Sequence, residues 1–222
     1  MIISIPELSD TLTLGRVMAG LWSDLWSGAR PENNTELAPA GTGGSRPAPD
    51  AINAPGASEP ETGGYFASGY LPDRLPENFP CTLLLQGDLG AGKTTLVRLL
   101  VEALPGSERA EVSSPSFTLC NSYATTPEVL HFDLYRLEPW QDDDDLADAL
   151  EMAENRDLLL IIEWPERMKE SLLPVDLIYC SLAGEDSGRA AAFKTRSAAG
   201  RQFLELLGRR AANAGLSVKS DD

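Results

Sequence analysis

Histidine occurs once in this chain, at His131, and cysteine three times, at Cys81, Cys120 and Cys180. With one imidazole and no CxxC pair, the sequence offers no ligand cluster for zinc. An odd number of cysteines, each in or beside an apolar stretch, reads as buried, reduced thiols rather than a disulfide framework. Basic residues are scarce as well: 18 Lys and Arg stand against 34 Asp and Glu, a net charge of −16. Proteins that grip nucleic acid across their own surface take most of that affinity from neutralising phosphates, so direct, tight binding of tRNA or DNA is not expected. The negative field suits a basic protein partner. It also repels free nucleotide, so a phosphate site has to be made locally, from backbone amides and a lysine. Long apolar runs are missing too. None approaches the ~20 residues that span a bilayer, and the opening MIISIPELSD has no basic start of the kind a signal peptide carries. The expectation is a cytoplasmic protein without membrane contact.

What is present suffices for one ordinary domain: 222 residues, 42% of them hydrophobic. Residues 9–26 read as a helix, capped by Ser9 or Asp10, with Leu14, Val17, Met18 and Leu21 on a buried face and Trp22 and Trp26 packing it onto a sheet. Residues 27–80 are rich in Pro, Gly, Ser, Ala and Asn and poor in aliphatics. Such a stretch buries too little apolar area to offset its ordering entropy, so it reads as a mobile insertion between two parts of one domain. A partner-docking arm around Tyr65, Phe66 and Tyr70 is the competing reading of that stretch. From Cys81 the pattern turns α/β. The apolar run 81–86 suits a buried parallel strand, and a helix follows it with Val97, Leu100, Val101 and Leu104 as its stripe, stopped by Pro105-Gly106. Further strands are expected at 117–123, 128–134, 158–162, 175–182 and 190–195, a helix opening at Asp142 to Asp145, and a closing helix at 199–207. The fold class that follows is α/β, a P-loop fold with a central, mostly parallel sheet flanked by helices. Its parts are an N-terminal helical segment (1–26), the insertion (27–80), the core (81–207) and a polar tail (208–222).

Between the strand and the helix lies Gly87-Asp88-Leu89-Gly90-Ala91-Gly92-Lys93-Thr94, which matches G-x-x-x-x-G-K-[ST] at every fixed position and in the strand–loop–helix context the motif requires. Glycines let the backbone curl so that successive N–H groups point at phosphate oxygens. The helix N-terminus adds partial positive charge. Lys93 reaches the β- and γ-phosphates, and the Thr94 hydroxyl ligates Mg²⁺. The motif needs an acidic partner, and two candidates end apolar strands: Glu163 after LLLII and Asp133 after VLHF. Either could ligate the metal directly or through water. No N-K-x-D segment for guanine is present, so ATP is the expected nucleotide. His131 reads as a packed or hydrogen-bonded residue rather than a base, since phosphoryl transfer rests on positioning and charge stabilisation. Arg136 reads as a phosphate, partner or ion-pair residue, and Arg189 as a weak nucleotide-side candidate.

Four ordered motifs, GDLGAGKTT (87–95), SPSFTL (114–119), HFDLYRL (131–137) and EWPER (163–167), together resemble the TsaE family, also called YjeE. The resemblance covers residues 80 to about 195 and reaches the start, where Thr11-Leu12-Thr13-Leu14-Gly15 is similar to the family's T-x-x-L-G helix opening. It implies an ATPase, slow without partners, in the threonylcarbamoyl modification of adenosine 37 in tRNA. It further implies work with TsaD-like and TsaB-like proteins, with tRNA involved only indirectly. By the same resemblance Thr11 approaches the nucleotide, Leu89 to Thr94 wrap the phosphates with Thr95 following, and Thr94 and Glu163 hold magnesium. Asp133 lies close to the γ-phosphate or its water, Trp164 sits beside the site, and Ser114 to Phe117 form a switch-like loop. The sequence departs from the family at Ser116, where the third residue of SPT[FY] is usual, and in the 27–80 insertion. A small-molecule P-loop kinase is the rival enzyme, though it needs a cluster of lid arginines that the segment after the first P-loop helix lacks. A nucleotide-gated binding module without significant turnover is the rival outside enzymes.

Overall fold

The computed structural model describes residues 1–29, 78–138, 144–185 and 188–219. Most of the expected insertion, with Tyr65, Phe66 and Tyr70, lies outside the described residues, as do Asp142 and Asp143.

A single sheet organises the chain. Its strands are β1 (Ile2–Ser4), β2 (Thr82–Gln86), β3 (Cys120–Tyr123), β4 (Val129–Asp133), β5 (Leu159–Glu163), β6 (Ile178–Glu185), β7 (Gly188–Lys194) and β8 (Val218–Lys219). In space they run β3-β4-β5-β2-β6-β7-β1-β8. The central four, β4, β5, β2 and β6, are parallel, and the flanking pairs are antiparallel. The continuous apolar runs are the central strands. β5, with sequence LLIIE, is buried at every position, as strands covered on both faces must be.

Helices α1 (Leu8–Ala29), α2 (Lys93–Glu102), α3 (Asp144–Glu154) and α4 (Ala198–Asn213) supply that cover. The route from β2 through α2 to β4 and the route from β4 through α3 to β5 cross the sheet in opposite directions. Right-handed crossovers then place α2 and α3 on opposite faces. α1 packs on α2 and α4. The α1–α2 approach is close because Gly15 has no side chain: a Cβ there would lie 2.9 Å from Leu99 Cβ. Trp22 is fully buried, 4.7 Å from Phe203 between ring centres, and its Nε1 donates to the Pro80 carbonyl at 2.9 Å. This fixes the middle of α1 beside the start of β2. Trp26 packs edge-on against Phe79. The two tryptophans thus seat α1 against α4 and the segment leading into β2, rather than directly on the sheet as the sequence suggests.

Several boundaries differ from the expected ones for local reasons. β3 begins at Cys120 rather than 117, because Leu119 takes a left-handed conformation (φ 68°) and its N–H turns back to the Pro115 carbonyl. β6 begins at Ile178 rather than 175, and Val175 is exposed. The stretch expected as a polar tail is structured over its first part: α4 continues to Asn213, Leu216 is buried, and β8 pairs with β1. β1 itself, three residues long, pairs with β7 across almost the whole chain.

Candidate functional site

The site lies where the parallel strands end. β2 gives way at Gly87 to the phosphate loop, and the last residues of β4 and β5, Asp133 and Glu163, are register partners. Asp133 and Glu163 are both buried polar residues. The loop takes the shape its glycines allow: Gly87, Gly90 and Gly92 have φ values of 145°, 81° and 102°. At Gly87 any side chain is excluded, since a Cβ would lie 2.4 Å from the Leu182 carbonyl oxygen. The Ala91 N–H folds back to the Asp88 carbonyl at 3.0 Å. The N–H groups of Gly90, Gly92, Lys93, Thr94 and Thr95 meet no acceptor among the described residues. They are unsatisfied donors at the positive end of α2, which is what an anion site consists of. Leu89 at the loop's outer turn is exposed.

Lys93 reaches from the end of the loop to its beginning. Its Nζ donates to the carbonyls of Gly87 at 2.7 Å and Asp88 at 3.0 Å and sits 3.9 Å from the centre of the Trp164 ring. Burial pulls its ammonium below the usual lysine range, while the Glu163 and Asp133 carboxylates pull the other way. Trp164 holds its position in a left-handed backbone conformation (φ 62°), which costs a non-glycine residue about 1 kcal/mol or more. Tyr135 stacks against its outer side at 5.1 Å.

Glu163 Oε1 accepts from the Thr94 hydroxyl at 2.8 Å and from His131 Nε2 at 3.0 Å. A hydroxyl and a carboxylate in contact at the mouth of a phosphate loop are hard oxygen donors of the kind magnesium takes. Among the described residues no group of three His, Cys, Asp or Glu could hold a metal without further ligands. Asp133 is turned elsewhere. Its Oδ2 accepts from the Ser114 hydroxyl and its Oδ1 from the Tyr135 N–H at 3.0 Å. The expected switch-like loop is therefore tied to the second site carboxylate through its first residue.

Of the residues singled out from sequence, the fold brings Lys93, Thr94, Glu163 and Trp164 into direct contact or one contact apart, and it sets Asp133 beside them. Thr11 is buried in the first turns of α1, its hydroxyl 3.4 Å from the Glu7 carbonyl. The start of α1 lies at the loop's edge of the sheet, because Gly188 packs directly on Pro6 and an Arg189 guanidinium nitrogen lies 3.9 Å from where a Gly92 Cβ would be. Arg136 stacks over the exposed ring of Phe117 at 3.9 Å. The sequence reading of His131 as packed and hydrogen-bonded agrees with the structure, but its bond to Glu163 could not be read without the strand register.

Fold and loop together define an α/β protein with a P-loop fold. Residues 66–191 match the family model described as Threonylcarbamoyl adenosine biosynthesis protein TsaE. The chain belongs to the TsaE family. It is similar to the tRNA threonylcarbamoyladenosine biosynthesis protein TsaE of Rickettsia bellii, at 39% identity over 126 residues, 56% of this chain and 81% of that one. The corresponding protein of Aquifex aeolicus is 37% identical over 43% of this chain and 63% of its own length. That of Nostoc is 47% identical over 39% and 53%. The chain thus spans about half to two thirds of several of the curated relatives it matches. Among solved structures, Bacillus subtilis YdiB matches with a TM-score of 0.43 and 25% identity over 58% of this chain and 76% of that chain. No described helix is long and apolar enough to cross a membrane.

Proposed function

We propose that this chain binds ATP with magnesium at the loop 87–94 and hydrolyses it, slowly in isolation, in the threonylcarbamoyl modification of tRNA. The observation that carries the reading is the row of unpaired amides around a buried ammonium, with Thr94 and Glu163 in contact beside it. In this reading Gly87, Asp88, Leu89, Gly90, Ala91 and Gly92 wrap the phosphates through their backbone, and the amides of Lys93, Thr94 and Thr95 cap them. Lys93 neutralises the charge that builds on the transferred phosphoryl group. Thr94 and Glu163 would hold magnesium, which would supply further neutralisation of phosphate charge. Asp133, the register partner of Glu163 on the neighbouring strand, would orient the attacking water. Thr11 and Trp164 border the nucleotide from α1 and from the end of β5.

The family supports the biological setting: partners resembling TsaD and TsaB, which the ATP cycle resets, in the cytoplasm. The acidic surface favours contact with those proteins over direct contact with tRNA. The test is binding of a fluorescent ATP analogue by wild type and Lys93→Ala, followed by phosphate release with and without the partner proteins. Unchanged affinity in Lys93→Ala would remove the site. A phosphorylated product other than free phosphate would turn the reading to a kinase, and release that partners do not stimulate would turn it to a binding switch.

A further inference from the structure

His131 is the single histidine of the chain, fully buried on β4. Its Nε2 ends on Glu163 Oε1, the same oxygen that the Thr94 hydroxyl reaches. Its Nδ1 is the one buried side-chain nitrogen or oxygen without a partner among the described residues. Tyr123 covers the ring, with centroids 6.5 Å apart and planes inclined by 29°. Core packing does not account for this placement, since burying a ring nitrogen unpaired is unfavourable and an apolar residue would avoid it. What the imidazole makes here is one polar contact, and that contact is with a carboxylate. A carboxylate only accepts, so in this contact Nε2 is the donor.

We infer that His131 is a positioning residue for magnesium. It pins the Glu163 carboxylate against Thr94, so that both oxygens the metal would take are already in place. The inference rests on the Mg²⁺–ATP reading above. The parallel register makes the arrangement rigid: His131 lies opposite Ile161 and Asp133 opposite Glu163, so both acids and the imidazole lie on one face at the ends of two hydrogen-bonded strands. Carboxylates that hold metals are themselves held by hydrogen bonds, and loss of such a bond typically weakens metal binding about ten- to a hundredfold.

Two substitutions separate positioning from packing. A glutamine places its amide N–H near the level of Nε2, whereas an asparagine stops near the level of Nδ1. In His131→Asn, the Mg²⁺ concentration that half-saturates binding of an ATP analogue is expected to rise about tenfold or more. Metal-free binding of the analogue should stay within about twofold, and His131→Gln should recover most of the loss. Equal losses in both variants, or none in Asn, would overturn the inference. Should the variants fold poorly, the wild-type chain decides, because one histidine gives one pair of imidazole ¹⁵N signals. A proton on Nε2 is expected; a ring protonated on Nδ1 alone would refute the contact. A wild type that binds the analogue with no response to magnesium would remove the metal reading itself, and with it this inference.

Discussion

Gly188→Ala adds one carbon where backbone leaves no room for it. Gly188 opens β7 at φ 135°, and an added Cβ would lie 2.3 Å from Pro6 Cα and 2.8 Å from the Pro6 carbonyl oxygen. Both neighbours are backbone, so no side-chain rotation relieves the overlap. The left-handed conformation itself costs a non-glycine residue about 1–3 kcal/mol. Pushing Pro6 away stretches the Ile5 N–H to Arg189 carbonyl bond, 2.8 Å in the native chain, for about 1 kcal/mol. It also loosens Ile5, which is buried, for about 1–3 kcal/mol more. The expected loss is therefore about 3–7 kcal/mol, a large part of the 5–15 kcal/mol typical of a whole domain. Urea denaturation of the variant measures it. Gly184→Ala is the control: no atom lies within 4 Å of its added Cβ and its φ is not in the left-handed range, so its stability should change by less than about 0.5 kcal/mol. The displacement has a functional side, because Pro6 leads into α1 and Thr11. Molecules of Gly188→Ala that remain folded are expected to bind an ATP analogue more weakly than Gly184→Ala. Equal stabilities for the two variants would refute the claim that the start of β7 and the lead into α1 are locked by backbone contact.

Three further outcomes follow from other parts of the molecule. Burial pushes the Cys81 thiol up to about 12, and it raises Cys180 as well, whereas Cys120 is half-buried. Iodoacetamide at pH 8 should therefore add once to the folded chain and three times after denaturation, as read by intact mass. Lys93 loses its proton below the usual lysine value of 10.5, and phosphate binding favours its charged form. ATP-analogue affinity should thus be flat at lower pH and fall as pH rises through a point short of 10.5; affinity constant past that value would contradict the buried ammonium. Trp22→Phe leaves the Pro80 carbonyl without its donor and should lower stability by about 1–3 kcal/mol, and Trp22→Ala by about 3–5 kcal/mol, both by urea melts.

The parts of this fold that the sequence discloses are those where one local rule decides. A glycine-spaced loop between an apolar strand and an amphipathic helix has one arrangement, so Gly87 to Thr94 could be placed from residue types, and the carboxylates ending two apolar strands had to arrive at the same sheet edge. What stayed hidden depends on pairing across long separations. β1 and β8 are three and two residues long; no periodicity exists in so short a run, and they become strands only because β1 has β7 to pair with and β8 has β1. The extension of α4 past 207 is of the same kind, since Ala211 and Leu216 are held by tertiary burial rather than by a strong pattern. The roles of the two acids divide along this line too. Glu163 and Asp133 look alike in sequence, each closing an apolar strand, and differ only in what the third dimension brings to them: Thr94 and His131 to one, Ser114 and the Tyr135 amide to the other. The difference is one of geometry: one carboxylate touches the loop's hydroxyl, and the other is tied through Ser114 to a segment whose Phe117 is exposed. In the function proposed above, the first of the two is the group that would take the metal.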